Sequence, residues 1–252
     1  MNFVREKLKK QNAVCGVWSI VESPTLTEII ALSNFDFQIF DMEHGSYDFG
    51  TLENAIRTSE NNGCSPFVRI SGMDSVATQK ALDFGAHGII YPQVQDQKGA
   101  RLAVEMTKYA PVGTRGYNPF TRADNYSITK KPGRNQNDFS ITSIIIENKS
   151  SFLDLDRILD TDALELFYLG AYDMSVALGC PGDMTNPNLI AFMETCIKKI
   201  VAKKKFAGVM AQTPQAMKEY INMGAKFVVL GVDSNLIGKS LLTATEQFSK
   251  LL

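Results

Sequence analysis

The chain has 252 residues, with 26 Lys and Arg against 27 Asp and Glu and a formal charge of −1. That length lets one α/β domain bury well over half of the surface its unfolded chain exposes, so no disulfide or zinc staple is required. The near-neutral balance argues against a nucleic-acid or anionic-membrane partner, and no segment approaches the ~20 apolar residues of a membrane span.

Short apolar runs alternate with longer amphipathic runs from end to end, the pattern of repeated βα units. Strands are expected near Val14–Ser19, Phe37–Asp41, Pro66–Ile70, Gly88–Tyr91, Ser143–Ile146, Leu166–Leu169, Gly208–Ala211 and Phe227–Gly231. The helices expected to follow them are Thr25–Ser33, Thr51–Asn62, Ser75–Phe84, Asp96–Tyr109, Phe152–Asp160, Asn188–Lys204, Pro214–Met223 and Ser234–Leu252. Gly63, Gly85 and Gly224 fall just past three of these helices, where a left-handed residue closes the last turn. Runs such as GIIYP and FVVLG are apolar on both faces, as parallel strands covered by helices are. Eight units over residues 1–252 suit a single (β/α)8 barrel domain; a doubly wound open sheet is the alternative.

Segment Val112–Thr142 interrupts the rhythm and is far longer than a usual connection. It is rich in Gly, Pro, Asn, Arg and Lys, as in VGTRGYNPFTRADNY and KKPGRNQND. It reads either as a partly ordered surface loop or as a substrate or subunit-contact loop, with Arg122 as its substrate-binding candidate. The four cysteines (Cys15, Cys64, Cys180, Cys196) form no Cys-x-x-Cys pair, as expected of reduced thiols in a cytoplasmic protein. The charged opening MNFVREKLKKQNAV has no apolar stretch of signal-peptide length.

Barrel enzymes carry their chemistry at the C-terminal ends of strands and in the loops that follow. Strand two ends in Asp41 and runs into Met42-Glu43-His44-Gly45; strand three ends in Arg69; strand five is followed by Glu147; strand six leads through Gly170-Ala171-Tyr172 to Asp173. Each has an ordinary alternative: a helix cap for Asp173, a salt bridge with Arg69 for Glu147, a loop histidine for His44. Together they converge on one mouth, and an acid closing a fully apolar strand needs a cation, donor or metal to offset its desolvation. Two carboxylates with open positions suit a hard divalent ion, Mg²⁺, Mn²⁺ or Co²⁺, with a 2-oxo acid as bidentate ligand and the ion as Lewis acid. Arg69 is the candidate donor to the keto oxygen. His44 is the candidate general base, with Asp41 orienting its imidazole. His87, before strand four, lies at the wrong face and reads as structural. No Gly-x-Gly-x-x-Gly follows strand one, which disfavours a dinucleotide. Gly231-Val232-Asp233-Ser234 offers few donors for phosphate. No lysine ends a strand, which disfavours an imine-forming aldolase, although Lys226 just before strand eight leaves that open.

The segments GVWSIVESPTLTEIIALSNFDFQIFDMEHG, VRI, ALDFGAHGIIYPQV, KYAPVGTRG, IIIEN, YLGAYDMSVALGCPG, GVMA and FVVLGVD together resemble the HpcH/HpaI aldolase family. The likeness runs from about Gly16 to Asp233, and Asp-x-Glu-His-Gly and Gly-x-x-Asp-Met-Ser are its most specific parts. It implies a (β/α)8 barrel, a divalent metal, and reversible cleavage of a 4-hydroxy-2-oxo acid to pyruvate and an aldehyde. It also implies a hexamer, a trimer of dimers, with the last helix exchanged between barrels. By the same likeness Glu147 and Asp173 correspond to metal ligands, His44 with Asp41 to the acid/base pair and Arg69 to the keto-oxygen donor. Asp83 corresponds to an acid approaching a neighbouring subunit's site. Gly170, leading into Ala171 and Tyr172, corresponds to the backbone turn at the pyruvate carboxylate. Two departures touch the substrate pocket. Ile145-Ile146-Glu147 replaces the family's Gln-Ile-Glu, and Tyr172 stands where a small residue is usual. A decarboxylase of oxaloacetate-like acids and a non-catalytic barrel protein are the competing readings.

Overall fold

The computed structural model describes residues 2–129 and 137–251, so most of the KKPGRNQND stretch lies outside the described residues. In chain order the elements are α1 (Phe3–Lys9), β1 (Val14–Ser19), α2 (Pro24–Leu32), β2 (Phe37–Asp41), α3 (Phe49–Asn61), β3 (Ser65–Arg69), α4 (Ser75–Asp83), β4 (Gly88–Tyr91) and α5 (Gln97–Thr107). They continue with β5 (Ile141–Ile146), α6 (Lys149–Leu153), α7 (Leu155–Leu159), β6 (Leu166–Leu169), α8 (Ala171–Ala177), α9 (Pro187–Ala202), β7 (Phe206–Met210), α10 (Pro214–Met223), β8 (Phe227–Val232) and α11 (Asp233–Ser249). The strands pair in parallel and in sequence order, and β8 closes on β1 into a barrel. No described helix is long and apolar enough to cross a membrane.

Side chains alternate between the two faces of each strand, and here the alternation divides the core in two. Trp18, Phe37, Ile39, Phe67, Ile90, Ile145, Tyr168 and Phe227 pack with one another inside the barrel. Phe40, Val68, Ile89, Ile144, Ile146, Phe167 and Val209 face outward against Leu52, Ile56, Leu82, Val104, Ile158, Phe192 and Ile197 of the helices. Stacked rings of Phe37 and Phe227, 3.8 Å between centroids, fill the interior. Gly16 must be glycine, because a Cβ there would lie 2.2 Å from the Phe37 ring. Extending the inward set by two residues past Ile39, Phe67, Ile145 and Tyr168 brings Asp41, Arg69, Glu147 and Gly170 to the inner rim.

Helix boundaries agree with the periodicity to within a few residues at most sites. Gly63, Gly85 and Gly224 have φ of 82°, 104° and 108°, the left-handed stops expected of them. Three differences have local causes. Helix α1 was not foreseen from the charged N-terminus; Asn2 caps it, and Val4 and Leu8, one turn apart, plug the bottom of the barrel. The single helix expected over Phe152–Asp160 is two, α6 and α7, divided at Asp154, whose carboxylate accepts the Gln97 amide at 2.8 Å. The chain after β6 forms α8 before α9 begins.

A further correction concerns the long connection between α5 and β5. A helix runs back along its strand, so every helix-to-strand connection emerges at the N-terminal end of the barrel, opposite the mouth. Arg122 accordingly binds the Phe84 carbonyl at 2.8 Å and the Glu60 carboxylate at 2.5 Å, both at the ends of neighbouring helices. Asp83, the last residue of α4, pairs with Arg115 at 2.7 Å. Neither Arg122 nor Asp83 reaches the mouth of its own barrel, so Arg122 does not bind substrate there; residues 130–136 of the segment lie outside the described residues.

Candidate active site

Parallel pairing sets Asp41 of β2 directly beside Arg69 of β3. The guanidinium grips the carboxylate with two nitrogens, Nε to Oδ1 at 2.8 Å and Nη2 to Oδ2, and its other arm meets Glu43 at 3.1 Å. Trp18 Nε1 donates to Asp41 Oδ2 at 2.8 Å, while the Arg69 guanidinium lies over the Trp18 ring at 4.7 Å. Burial opposes the Asp41 charge, but Arg69, Trp18 and the His44 amide together hold its pKa below the usual carboxylate value.

This arrangement corrects the role expected of Asp41. Its Oδ1 accepts the backbone amides of Glu43 and His44, at 2.9 and 3.1 Å, and no hydrogen bond joins it to the His44 imidazole. Asp41 therefore shapes the turn that carries His44 and aims Arg69; it does not orient the ring. Gly45 completes the turn because a Cβ there would lie 2.3 Å from the Asp41 carbonyl oxygen. The His44 ring lines the cleft.

Glu147 extends the inward face of β5 and is only 8% exposed. It accepts the backbone amide of Gln93, a residue held at φ 58° in the turn after β4. No cation pairs with it among the described residues, so the salt bridge with Arg69 does not form. Burial foremost, then the charges of Asp173 and Glu43, push its pKa up to about 7 against the Gln93 hydrogen bond. Asp173, in the first turn of α8, faces the same cleft. Gly170 permits the approach: a Cβ there would sit 2.5 Å from Glu147 Cβ and 3.0 Å from the Ile145 side chain. A buried carboxylate without a counter-ion beside a second one is a donor set that fits a hard divalent cation, which takes oxygen ligands and keeps several waters. No third His, Cys, Asp or Glu joins them in a ready-made cage among the described residues.

The cleft has two lobes that share His44, Arg69, Glu147 and Asp173. One is polar, lined by Glu43, Gln93, Gln95, Asn148 and Ser150. The other is apolar, about 390 Å³, lined by Trp18, Ile20, Ile145, Tyr168, Tyr172, Met210 and Val232 together with Gly170 and Ala171. Ile145 is buried in its floor, whereas Tyr172 is half exposed at its rim, with Gln212 Nε2 donating to its hydroxyl at 3.4 Å. The tyrosine thus borders the lobe without filling it.

The sequence reading assigns no role to Trp18 or Gln93, and Glu43 enters it only within the Asp-x-Glu-His-Gly block. Gln93 follows β4, so applying the strand-end rule to that strand as well would have found it. His87 is buried at the opposite end, 3.3 Å from Glu60. Asp233 takes the amides of Ile20, Val21 and Ser234 for itself, using donors a phosphate would need. Lys226 precedes β8 at the bottom of the barrel, and no lysine lines the cleft among the described residues.

Residues 15–239 match the family model described as HpcH/HpaI aldolase/citrate lyase. A 2-dehydro-3,6-dideoxy-6-sulfogluconate aldolase of Pseudomonas putida is 30% identical over 226 residues, 90% of this chain and 89% of that protein. A 4-hydroxy-2-oxo-heptane-1,7-dioate aldolase of Klebsiella pneumoniae is 29% identical over 249 residues, 98% of this chain and 94% of that one. In structure, an HpcH/HpaI aldolase/citrate lyase family protein of Burkholderia cenocepacia superposes with a TM-score of 0.92 at 21% identity, covering 99% of this chain and all of that one.

Proposed function

We propose, from the premise that this chain belongs to the HpcH/HpaI aldolase/citrate lyase family of carbon–carbon lyases, that it is a divalent-metal-dependent aldolase interconverting a 4-hydroxy-2-oxo acid with pyruvate and an aldehyde. The observation that carries this reading is the buried, cation-free Glu147 carboxylate facing Asp173 at a mouth that also holds Arg69 and His44. Glu147 and Asp173 would hold Mg²⁺, Mn²⁺ or Co²⁺, and the ion would supply Lewis-acid polarisation of the keto group. Arg69, locked by Asp41 and Glu43, donates from a fixed position to the keto oxygen as negative charge develops there. His44 takes the methyl proton of pyruvate in the synthetic direction; the methyl carbon then bonds to the aldehyde carbon, whose oxygen gains a proton. Cleavage is the reverse, and no oxidant or reductant is consumed.

Short 4-hydroxy-2-oxo acids and 2-oxo-3-deoxy sugar acids, assayed for pyruvate release, test the reading. Pyruvate and an aldehyde are expected in equal amounts from at least one substrate, and only with added divalent cation. Carbon dioxide release without aldehyde would instead identify a decarboxylase.

The family resemblance also supports a homo-oligomer, and the C-terminal helix supplies a surface for it. Leu241, Leu242 and Phe248 of α11 and Leu251 just beyond it are exposed, and Leu236 and Ile237 border an apolar groove with Leu26, Ile29 and Ile30 of α2. Burying such a face in a second copy offsets its exposure to water. Sedimentation is expected to show an oligomer, a hexamer by the resemblance, and a monodisperse monomer would overturn the assignment. In such an assembly Asp83 would approach a neighbour's mouth.

A further inference from the structure

We propose that Gln93 is a positioning residue for the reaction: its main chain steadies the Glu147 carboxylate, and its side chain, acting through Glu43, aims the Arg69 guanidinium. This inference rests on the aldolase reading and adds to it how the ion site and the keto-oxygen donor are held at a fixed separation.

The contacts begin at the turn after β4. The Gln93 amide donates to Glu147 Oε1, and Asn148 Nδ2 donates to the Val94 carbonyl at 3.2 Å, so two successive residues after β5 fasten two successive residues of the turn. From this mount Gln93 Nε2 donates to Glu43 Oε1 at 2.9 Å. The other oxygen of the same carboxylate, Oε2, meets Arg69 Nη1 at 3.1 Å. Each oxygen of Glu43 thus has its own partner, and rotation of the carboxylate breaks one contact or the other. The Glu43 and Arg69 side chains are only 12% and 11% exposed, so water competes weakly for the pair.

The guanidinium has five N–H groups in one plane. Asp41 takes one on Nε and one on Nη2, and Glu43 takes one on Nη1. The two left over are the donors available to a keto oxygen, and their direction depends on how the planar group is held. Without Glu43 fixed in place, the fork is free to hinge about the edge that Asp41 grips, and small misplacements of a donor are costly in rate.

The backbone gives a second, independent reason. Gln93 has φ 58°, in the left-handed region, where glycine meets no steric cost and a residue with a Cβ does. Donating an amide to Glu147 needs only the main chain, which glycine would supply more easily. A glutamine there is explained by what its side chain does, and among the described residues that side chain hydrogen-bonds Glu43.

Gln93→Met separates the two tasks, because methionine keeps the amide and the chain length but loses the donor. Pyruvate deuterium exchange with Mn²⁺, measured on the full-length protein, is expected to fall roughly 10–100-fold, the usual cost of losing a group behind an active-site side chain. The fall should appear in kcat more than in KM, since the charge that Arg69 meets develops in the transition state. Calorimetric Mn²⁺ affinity without pyruvate is expected to match wild type. In a Glu43→Met background, Gln93→Met is expected to change exchange by no more than about twofold, because the residue it acts through is gone. Wild-type exchange that is undiminished in Gln93→Met overturns the inference and leaves the aldolase reading intact; absence of wild-type exchange overturns both. Mn²⁺ affinity that falls as far as the exchange rate overturns the action on Arg69, and so does an equal loss of exchange with and without Glu43.

Discussion

Pyruvate in deuterated buffer with Mn²⁺ or Mg²⁺ is expected to lose its methyl proton signal much faster in the presence of this protein, even without an aldehyde. Proton removal needs only the parts gathered at the mouth: a held 2-oxo acid, the Arg69 donor and the His44 base. It does not involve Ile145 or Tyr172, so it should survive whatever those residues do to aldehyde choice. His44→Ala is expected to slow the exchange by roughly 10²–10⁴-fold, the usual contribution of a positioned general base. Normal exchange in that variant would retain the chemistry and reassign the base. Arg69→Lys is expected to impair exchange as well, for a structural reason. The guanidinium reaches Asp41 with two nitrogens and Glu43 with a third, and an ammonium cannot span both while pointing at a keto oxygen. Wild-type exchange no faster than background, in folded and metal-loaded protein, would remove the mechanism.

Glu147→Gln and Asp173→Asn are each expected to reduce Mn²⁺ affinity, measured by calorimetry, by more than the roughly 10–100-fold that losing a group behind a ligand costs. The wild-type chain should lose activity on exhaustive chelation and regain it with Mn²⁺, Mg²⁺ or Co²⁺. Affinity unchanged in both variants, or full activity after chelation, would refute the assignment. The pH dependence follows from the raised pKa of Glu147, about 7 against an ordinary 4.5. Between those values the folded metal-free protein holds a proton that the unfolded chain has released. This group's contribution to stability therefore falls as pH rises from about 4.5 to about 7. Cation binding must expel the same proton, so affinity should weaken as pH drops below about 7, with up to one proton released per ion. Added Mn²⁺ should raise the melting temperature more at about pH 8 than at about pH 5.5. Glu147→Gln should flatten both trends.

Much of this protein was determined by the sequence alone, because the decisive signals are local. Eight apolar runs separated by amphipathic ones specify parallel strands covered by helices, and the two-residue period of a strand carries its inward face one step further to the rim. Asp41, Arg69 and Glu147 were legible as mouth residues because they close or follow apolar strands, and Gly170 through the family resemblance; the alternation within the closed barrel explains why all four reach the inner rim. Other facts depend on which elements lie side by side. Asp41 bonds the Arg69 guanidinium and not the His44 ring because β2 and β3 pair in that register, a relation between residues 28 positions apart. Glu147 receives a backbone amide from Gln93 because the turn after β4 enters the left-handed region, and no residue type there announces it. Arg122 looked like a substrate residue by composition, but the direction of α5 sends the connection that carries it to the far end of the barrel. The N-terminal helix escaped notice because seven residues with only two buried apolar side chains make a weak periodic signal, and only the open base of the barrel gives Val4 and Leu8 somewhere to pack. Periodicity and residue type act within a few residues of chain, whereas hydrogen-bond partners are settled by competition among groups that only the closed barrel brings within reach.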